Sequence, residues 1–233
     1  MISLLLSLGC APKYPTTPDP KAHQTLSILF EGHIASIGGR KSFLEKNNVL
    51  IKGRIRTMDS PITHAFTTIK EAPTSIWTEI KSLDGQKRIR GWNGHIGWNE
   101  HGLLHPEETS SFAQSLPFHY PLNYKDHHPQ TFRIIQTQFA GRPCIAALTK
   151  NHLQEWEEIF FDQNTKLIMG FARWKGNGRK HWFRYGHYTA VEGIKHPLSI
   201  EEKYGKQHKV VLIESVQWNV PELSIAPPAG GHR

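Results

Sequence analysis

Residues 86–98 read QKRIRGWNGHIGW and predict two antiparallel strands joined by a tight turn. Asn93-Gly94 is a strong hairpin signal, because a type I′ turn needs a positive φ at both central residues and Asn and Gly tolerate it. Trp92 and Trp98 flank the turn. Alone, the stretch predicts only antiparallel β structure, but the sequence on either side of it has the same character.

Period-two alternation precedes this hairpin. Val49, Ile51 and Ile55 alternate with polar and basic residues, which is typical of a half-buried strand. Asp84-Gly85 supplies another turn just before the hairpin. A meander of five strands is therefore predicted, at residues 49–56, 64–70, 75–82, 86–92 and 95–99.

A helix is predicted before the meander, from residue 22 onward. Leu26, Leu29, Phe30, Ile34 and Ile37 fall on one stripe at helical spacing. The Gly-Gly pair that follows is a typical helix stop.

Strands resume in the C-terminal half, after an irregular segment at residues 106–129. That segment opens with a predicted helix at Pro106, and its aromatic residues indicate a packed lid or loop rather than a solvated coil. The predicted strands that follow are 130–139, 143–150, 155–161, 166–175, 180–189, 195–202 and 207–218. About eleven strands and two or three helices make the chain mainly β (α+β). An antiparallel sheet of this length must curl or close.

The N-terminus indicates secretion. Residues 1–9 are apolar and too short to cross a bilayer, which takes about 20 residues, but they suit the core of a signal peptide. Leu-Ser-Leu-Gly-Cys resembles the lipobox of a bacterial lipoprotein, with Cys10 as the lipidated residue. A signal fragment with an unmodified cysteine is the alternative. Residues 10–21 are proline-rich and predict an extended tether, and residues 229–233 predict a disordered tail.

Lipidation of Cys10 would leave Cys144 as the one remaining cysteine, so no intrachain disulfide is expected. Cys144 lies in an apolar strand-like run and suits a small core position. The chain has 233 residues, 38% of them hydrophobic, and a net charge of +8. Such a charge favours anionic partners without choosing among lipid headgroups, nucleic acid and acidic proteins.

The order of motifs resembles the LolA-like, outer-membrane lipoprotein-sorting group. IASIGGRKSF leads into VLIKGRI, then come EAPTSIWTEI and DGQKRIRGWNGHIGW, and later AGRPCIAALT, EEIFFDQNTKLIMGF and IESVQWNVPELSIAPP. The resemblance covers residues 22–228. It implies an incomplete antiparallel β-barrel whose helices cover the open concave face and enclose an apolar cavity. LolA and LolB hold lipoprotein acyl chains in that cavity.

The resemblance also implies a location. This chain, with its lipobox, is similar to the lipidated LolB rather than to LolA. Ala11, not Asp, follows Cys10, which in enteric-type lipoproteins implies outer-membrane retention. The expected place is the outer membrane, facing the periplasm and held by the lipid anchor.

Residues expected to line the lipid-binding cavity share an apolar side chain on the helix stripe or on an alternating strand. They are Leu26, Leu29, Phe30, Ile34, Ile55, Phe66, Ile76, Ile80, Trp92, Trp98, Phe171, Trp182 and Ile200. Alternation alone does not decide which face of a strand lines the cavity, because several strands carry aromatic residues on both faces.

Other chemistries lack their motifs. Despite 15 histidines there is no His-x-His or His-Glu-x-x-His pattern, so no metal site is predicted. There is no Gly-x-Ser-x-Gly elbow and no glycine-rich phosphate loop, so neither an enzyme nor a cofactor is expected. A basic, aromatic surface could stack single-stranded nucleic acid or meet anionic headgroups, but the secretory N-terminus disfavours nucleic acid. Its residues would be Arg54, Arg56, Arg88 and Arg90 with Trp77 and Trp92.

Two functions follow from these patterns. The first is a monomeric, lipid-anchored envelope protein that binds a lipid or lipoprotein acyl chain, in lipid or lipoprotein transport. The second is a structural or interaction lipoprotein that has no ligand, and a side-chain-filled interior would favour it.

Overall fold

The computed structural model describes residues 14–105, 108–109, 118–174, 179–221, 223 and 225. Four predicted features lie outside the described residues: the signal peptide at 1–9, the lipidation of Cys10, the helix start at Pro106 and the disordered tail at 229–233. Within those ranges, no helix is both long and apolar enough to cross a membrane.

The predicted amphipathic helix is confirmed as α1 (Pro20–Ser36). It begins two residues earlier than predicted, because proline suits the first turn of a helix and Asp19 caps the end by accepting a hydrogen bond from the Lys21 amide at 2.9 Å. The predicted stop also holds, since Gly38 and Gly39 both have positive φ and the Gly39 amide donates to the Ile34 carbonyl at 2.8 Å.

The other described helical segments are short. They are α2 (Arg40–Leu44), a 3-10 turn (Tyr120–Asn123) and α3 (Tyr124–His127), and residues 108–109 are also helical. The 3-10 turn and α3 occupy part of the irregular segment, and Tyr124 of α3 is packed in the interior, at 2% exposure.

The strands are β1 (Asn48–Thr57), β2 (Thr63–Glu71), β3 (Ser75–Lys81), β4 (Lys87–Trp92), β5 (Gly97–Asn99), β6 (Gly102–Leu103), β7 (Gln130–Phe139), β8 (Arg142–Lys150), β9 (Trp156–Asp162), β10 (Ile168–Trp174), β11 (Lys180–Val191), β12 (Ile194–Tyr204) and β13 (Gln207–Trp218). The described residues thus form 13 strands where about eleven were predicted. Strand β6, with two residues, is too short to show any periodicity.

All these strands belong to one antiparallel sheet in the order β6-β5-β4-β3-β2-β1-β13-β12-β11-β10-β9-β8-β7. The first long strand, β1, pairs with the last, β13, in the middle of the sheet. The described edges, β6 and β7, do not pair with each other, so the sheet is open, consistent with an incomplete barrel. The predicted mainly-β fold is confirmed at this level.

The hairpin at residues 86–98 is confirmed as β4 and β5, but its predicted turn type is wrong. Gly94 has φ +97° whereas Asn93 is not in the positive-φ region, so the turn is not type I′. Asn93 instead accepts hydrogen bonds through Oδ1 from the amides of His95 (3.1 Å) and Ile96 (3.0 Å). This side-chain turn makes a four-residue loop and moves the start of the second strand to Gly97.

Cross-strand register assigns each residue to a face, because directly paired residues of antiparallel strands point to the same side. Ile55 pairs with both Val211 of β13 and His64 of β2, and Phe66 pairs with Ile80 of β3. The side of the sheet that carries Ile55, Phe66, Ile80 and Val211 is called the inner face below, and the opposite side the outer face.

Two buried clusters lie between the inner face and the helices. Leu26 and Phe30 of α1 pack with Ile159 and Phe161 of β9, and Phe30 stacks on Tyr124 with ring centroids 4.2 Å apart. The second cluster joins the end of α1 and α2 to the central strands, through Ile37, Phe43, Val49, Ile51, Phe66, Ile213 and Trp218. A third cluster lies on the outer face of β8–β10 around Cys144, which is fully buried as predicted.

Candidate functional site

A cavity of about 440 Å³ lies between the inner face and the helical segments. Strands β1, β2, β3 and β9–β13 contribute one wall. The other wall comes from the end of α1, from Phe43 of α2 and from residues 118–121. The volume falls in the range of small-molecule sites, roughly 300–1,000 Å³, and apolar side chains dominate the lining, as is usual for such sites.

A second space, of about 630 Å³, adjoins this cavity on the same face. Val211 lines both spaces, so they meet at the middle of β13. We call this second space the mouth groove, because its rim carries the exposed side chains of Ile62 (45% exposed) and Leu83 (82% exposed) from the β1–β2 and β3–β4 turns. A mainly apolar space thus adjoins a more amphipathic one at Val211.

A register shift and a glycine shape the inner face where β1 pairs with β13. The register between β1 and β13 shifts between Lys52 and Gly53, so the inward alternation continues from Ile51 to Ile55 while β13 accommodates one extra residue. Gly53 lies beneath Phe66, since a β-carbon there would be 2.8 Å from Cε1 of the ring. The missing side chain therefore makes room for the Phe66 ring on the cavity wall.

Polar groups on the α1 side of the wall are internally paired. The Ile168 amide donates to Nδ1 of His33 at 3.2 Å, and the Tyr188 hydroxyl donates to the Ile168 carbonyl at 2.8 Å. Burial lowers the pKa of His33 to about 4 and raises the pKa of Tyr185. At neutral pH these groups are uncharged, which keeps this part of the cavity apolar.

A buried polar network holds the segment after Tyr120, which lines the cavity, against the sheet. The Tyr120 hydroxyl and Nε2 of His128 are hydrogen-bonded at 2.6 Å, and Nδ1 of His128 is 3.2 Å from the Thr149 hydroxyl. Burial lowers the pKa of His128 to about 3, with further lowering from the nearby His127. Nearby, Arg173 donates to Glu157 at 3.1 Å. The network fixes residues 120–128 on β8 and β9.

The structure distributes the predicted cavity residues over five places. Phe66, Ile76, Phe171 and Ile200 line the cavity, and Ile55 and Ile80 line the mouth groove. Leu26, Leu29, Phe30 and Ile34 are buried at 3% exposure or less on α1 and outside both spaces. Trp92 is on the inner face beyond the cavity, and Trp98 and Trp182 are on the outer face. A role in lipid binding stays a prediction for the six that line the two spaces.

The cavity assignment needs correction for two groups of residues, the tryptophans Trp98 and Trp182 and the apolar stripe of α1. Trp98 pairs with Gly91 and Trp182 pairs with Ala172, both outer-face positions, so neither indole shares a wall with Ile76. The α1 residues were assigned to the cavity from their stripe alone. The stripe packs on β8–β10, and only the last part of α1, with His33 and Ile37, reaches the cavity.

The expected basic, aromatic surface is divided by the register. Arg54 and Arg56 pair with Leu212 and Val210 on the outer face, and Arg54 also forms an ion pair with Glu214 at 2.9 Å. Arg88 and Arg90 pair with Ile80 and Thr78 on the inner face. The four arginines therefore do not form one surface for a nucleic acid strand. Within the described ranges, no group of three or more His, Cys, Asp or Glu side chains is arranged to hold a metal.

Sequence reasoning missed the polar part of the lining. Lys70, His196 and Trp218 all line the cavity. The signal for Lys70 was present in β2, where Phe66, Thr68 and Lys70 alternate at period two and so share a face. His196 and Trp218 reach the same place through strand pairings that are distant in sequence, which no local pattern predicts.

The sequence matches no protein-family model and no curated protein. Solved structures with the same fold do match. A LolA superfamily protein of Nitrosomonas europaea has a TM-score of 0.55 at 11% identity, covering 82% of this chain and 92% of that one. A putative outer membrane lipoprotein-sorting protein domain from Vibrio parahaemolyticus has a TM-score of 0.56 at 7% identity. The alignment covers 87% of this chain and 95% of that one.

A DUF1329 family protein of Desulfovibrio piger is also similar, with a TM-score of 0.53 at 10% identity and coverage of 85% of this chain and 94% of that one. Each alignment spans nearly the whole of the solved chain. At such low identities the likeness concerns the fold alone, and the fold of this protein is LolA-like.

Proposed function

We propose that this protein is a lipid-anchored envelope protein that binds the acyl chain of a lipid or lipoprotein between the inner face and the helices. The observation that carries the proposal is the cavity of about 440 Å³, which side chains leave unfilled, whereas protein interiors are usually close-packed. On this proposal the inner face is the concave face of an incomplete barrel, and α1, α2 and residues 118–121 cover it.

The chemistry of the two spaces suits an amphiphile. Apolar walls favour a hydrocarbon chain, because each buried methylene contributes about 0.8 kcal/mol. The mouth groove combines Ile62 and Leu83 with the charged side chains of Arg88, Glu202 and Lys209. Such a rim suits the part of an amphiphile that extends out of the cavity past Val211.

Membrane attachment is part of the proposal, and the start of the described chain supports it. Tyr14, four residues after Cys10, stacks on Trp156 with ring centroids 4.5 Å apart and meets Trp174 edge-on at 5.7 Å. Lys150 lies over the Trp156 ring at 5.2 Å, and Lys180 over the Trp174 ring at 4.8 Å. Tryptophan and lysine are favoured at a bilayer surface with anionic lipids, so this part of the outer face suits proximity to the anchoring membrane.

The alternative function, a scaffold lipoprotein without a ligand, required a filled interior. The cavity and its continuity with the mouth groove through Val211 favour the binding protein instead. We propose no catalytic role, and the proposed location is the periplasmic side of the outer membrane.

The test uses the full chain carrying Cys10→Ser, so that no covalent acyl group is present. The purified protein is extracted with organic solvent, and the extract is analysed by mass spectrometry. We expect about one acyl lipid per protein molecule. Protein that carries no lipid and that also takes up none from added vesicles contradicts the proposal.

A further inference from the structure

Three polar side chains interrupt the apolar wall at the end of the cavity farthest from the mouth groove. On the inner face, Val49 pairs with Lys70 of β2 on one side and with Trp218 of β13 on the other. Neighbouring strands lie about 4.8 Å apart, so the backbones of Lys70 and Trp218 are about 10 Å apart with only the small Val49 between them. His196 of β12 also lines this end, with its ring centroid 6.4 Å from that of Trp218.

The two hydrogen-bond donors of this end have no acceptor among the described residues. Trp218 is 8% exposed, and its indole Nε1–H is buried without a partner. Lys70 forms no side-chain hydrogen bond or ion pair with any described residue. Leaving the buried indole donor unpaired is unfavourable. Lys70 is half-buried at the same wall, so both donors are placed to meet a ligand that supplies the acceptors.

Glu192, an acid that contacts Trp218, is already occupied. One carboxylate oxygen of Glu192 accepts from Lys46 at 3.1 Å, and the other accepts from the Trp218 backbone amide at 3.3 Å. The described lining of the cavity contains no aspartate or glutamate. Lys195, the other lysine at the wall, is exposed to solvent. Among the described residues, no acidic side chain therefore pairs with Lys70.

The histidines of the cavity do not add charge at neutral pH. Nδ1 of His196 donates to the Pro197 carbonyl at 2.9 Å, because a carbonyl only accepts. Burial lowers the pKa of His196 to about 4, and the charge of the nearby Lys70 lowers it further. Partial burial likewise lowers the pKa of Lys70 itself.

We propose that the Lys70 ammonium and the Trp218 indole N–H bind the anionic head of a single-chain amphiphile, with its hydrocarbon chain lying along the cavity toward Val211. The shared chemistry is a singly charged oxyanion, which one ammonium neutralises, and a second oxygen that accepts from the indole. A fatty-acid carboxylate and the phosphodiester of a lysophospholipid are its two sources. This inference rests on the proposed acyl-binding function and adds the class of ligand and its orientation.

The experiment measures binding of three probes to the full chain carrying Cys10→Ser. The probes are palmitate, hexadecanol and a lysophosphatidylglycerol. Each probe is measured on the chain with Cys10→Ser alone and on chains that add Lys70→Met, Trp218→Phe or Lys52→Met. Lys52 is the matched control, because it is an exposed lysine on the outer face of the adjacent strand. Methionine keeps the length of the lysine stem and removes the charge, so folding should be retained, which a thermal melt checks.

We expect Lys70→Met to weaken binding of an anionic probe at least about tenfold, as for loss of a charge-assisted hydrogen bond. Hexadecanol binding should be unchanged, Trp218→Phe should have a smaller effect of the same kind, and Lys52→Met should have none. Preference for palmitate assigns a carboxylate, and preference for the lysophospholipid assigns a phosphodiester.

Equal binding of palmitate and hexadecanol, with no effect of Lys70→Met, overturns the anion site and leaves acyl binding intact. Failure of the unsubstituted chain to bind any of the three probes overturns both the anion site and the proposed function. The two failures are therefore distinguishable.

Discussion

Trp98 lies directly against Gly91, its cross-strand partner on the outer face of β4 and β5: a β-carbon at Gly91 would be 2.1 Å from Cε2 of the indole. Trp98 is 1% exposed, and the absence of a side chain at Gly91 makes its position possible. The glycine thus serves packing, since its φ is not in the positive region.

Gly91→Ala is expected to destabilise the protein by about 1–3 kcal/mol, the usual cost of forcing an extra group into a packed site. Urea unfolding at neutral pH measures the change. In a Trp98→Leu background the same substitution should cost much less, because the ring it collides with is gone. An equal loss in both backgrounds would show that the contact with Trp98 is not the cause.

Buried histidines make stability depend on pH in a defined direction. The folded-state pKa of His33 is about 4, against 6.5 for an unperturbed histidine. Between these values the unfolded chain binds a proton that the folded chain does not, so the free energy of unfolding falls as pH falls through this window. From pH 7 to pH 5, His33 alone should account for about 2 kcal/mol of lost stability.

His33→Gln should reduce this pH dependence, even though it lowers stability at pH 7 by removing the acceptor for the Ile168 amide. His95→Gln is the control, because His95 is exposed in the β4–β5 turn. Unfolding free energies at pH 7 and pH 5 give the comparison. If His33→Gln leaves the difference in unfolding free energy between pH 7 and pH 5 unchanged, His33 is not neutral and buried in the folded protein.

The two cysteines should differ completely in chemistry. Cys10, as the proposed lipid attachment site, should incorporate an alkyne-labelled fatty acid when the full chain is produced in a bacterial host. Cys10→Ser should abolish labelling, and Cys144→Ser should not, because the Cys144 side chain is fully buried and burial raises the pKa of its thiol. Labelling that persists in Cys10→Ser, or that is absent from the unsubstituted chain, contradicts the lipid anchor.

Local sequence patterns predicted the elements of this fold well. Alternation in β1 and the Gly38-Gly39 stop after α1 were interpreted correctly, because both depend on short-range backbone physics. The turn after Trp92 was placed correctly but given the wrong type, since the Asn93 side chain, rather than two positive φ angles, satisfies its backbone. Such a competition between side chain and backbone is not decided by residue type alone.

The site was less predictable, because it depends on contacts between distant segments. Phe66 and Ile200 meet the same cavity only because β1 pairs with β13 and brings β2 near β12. The α1 stripe gave the helix but not the strands on which it packs. Trp98 and Trp182 were misplaced because a strand with aromatic residues on both faces gives no signal about which face is inward.

Two adjacent residues of β13 offer the most direct test of acyl binding in the cavity. Val211 faces inward where the cavity meets the mouth groove, whereas Leu212 is 50% exposed on the outer face. Tryptophan at position 211 should block the passage, and tryptophan at position 212 adds the same bulk outside it. The two variants therefore differ only in the face they occupy.

The measurement is lipid stoichiometry by native mass spectrometry, on full chains carrying Cys10→Ser with Val211→Trp, with Leu212→Trp or with neither. We predict about one bound acyl lipid for the unsubstituted chain and for Leu212→Trp, and a loss of most of the bound lipid for Val211→Trp with its thermal unfolding still cooperative. Equal lipid content in a folded Val211→Trp protein would contradict the claim that the acyl chain occupies this cavity.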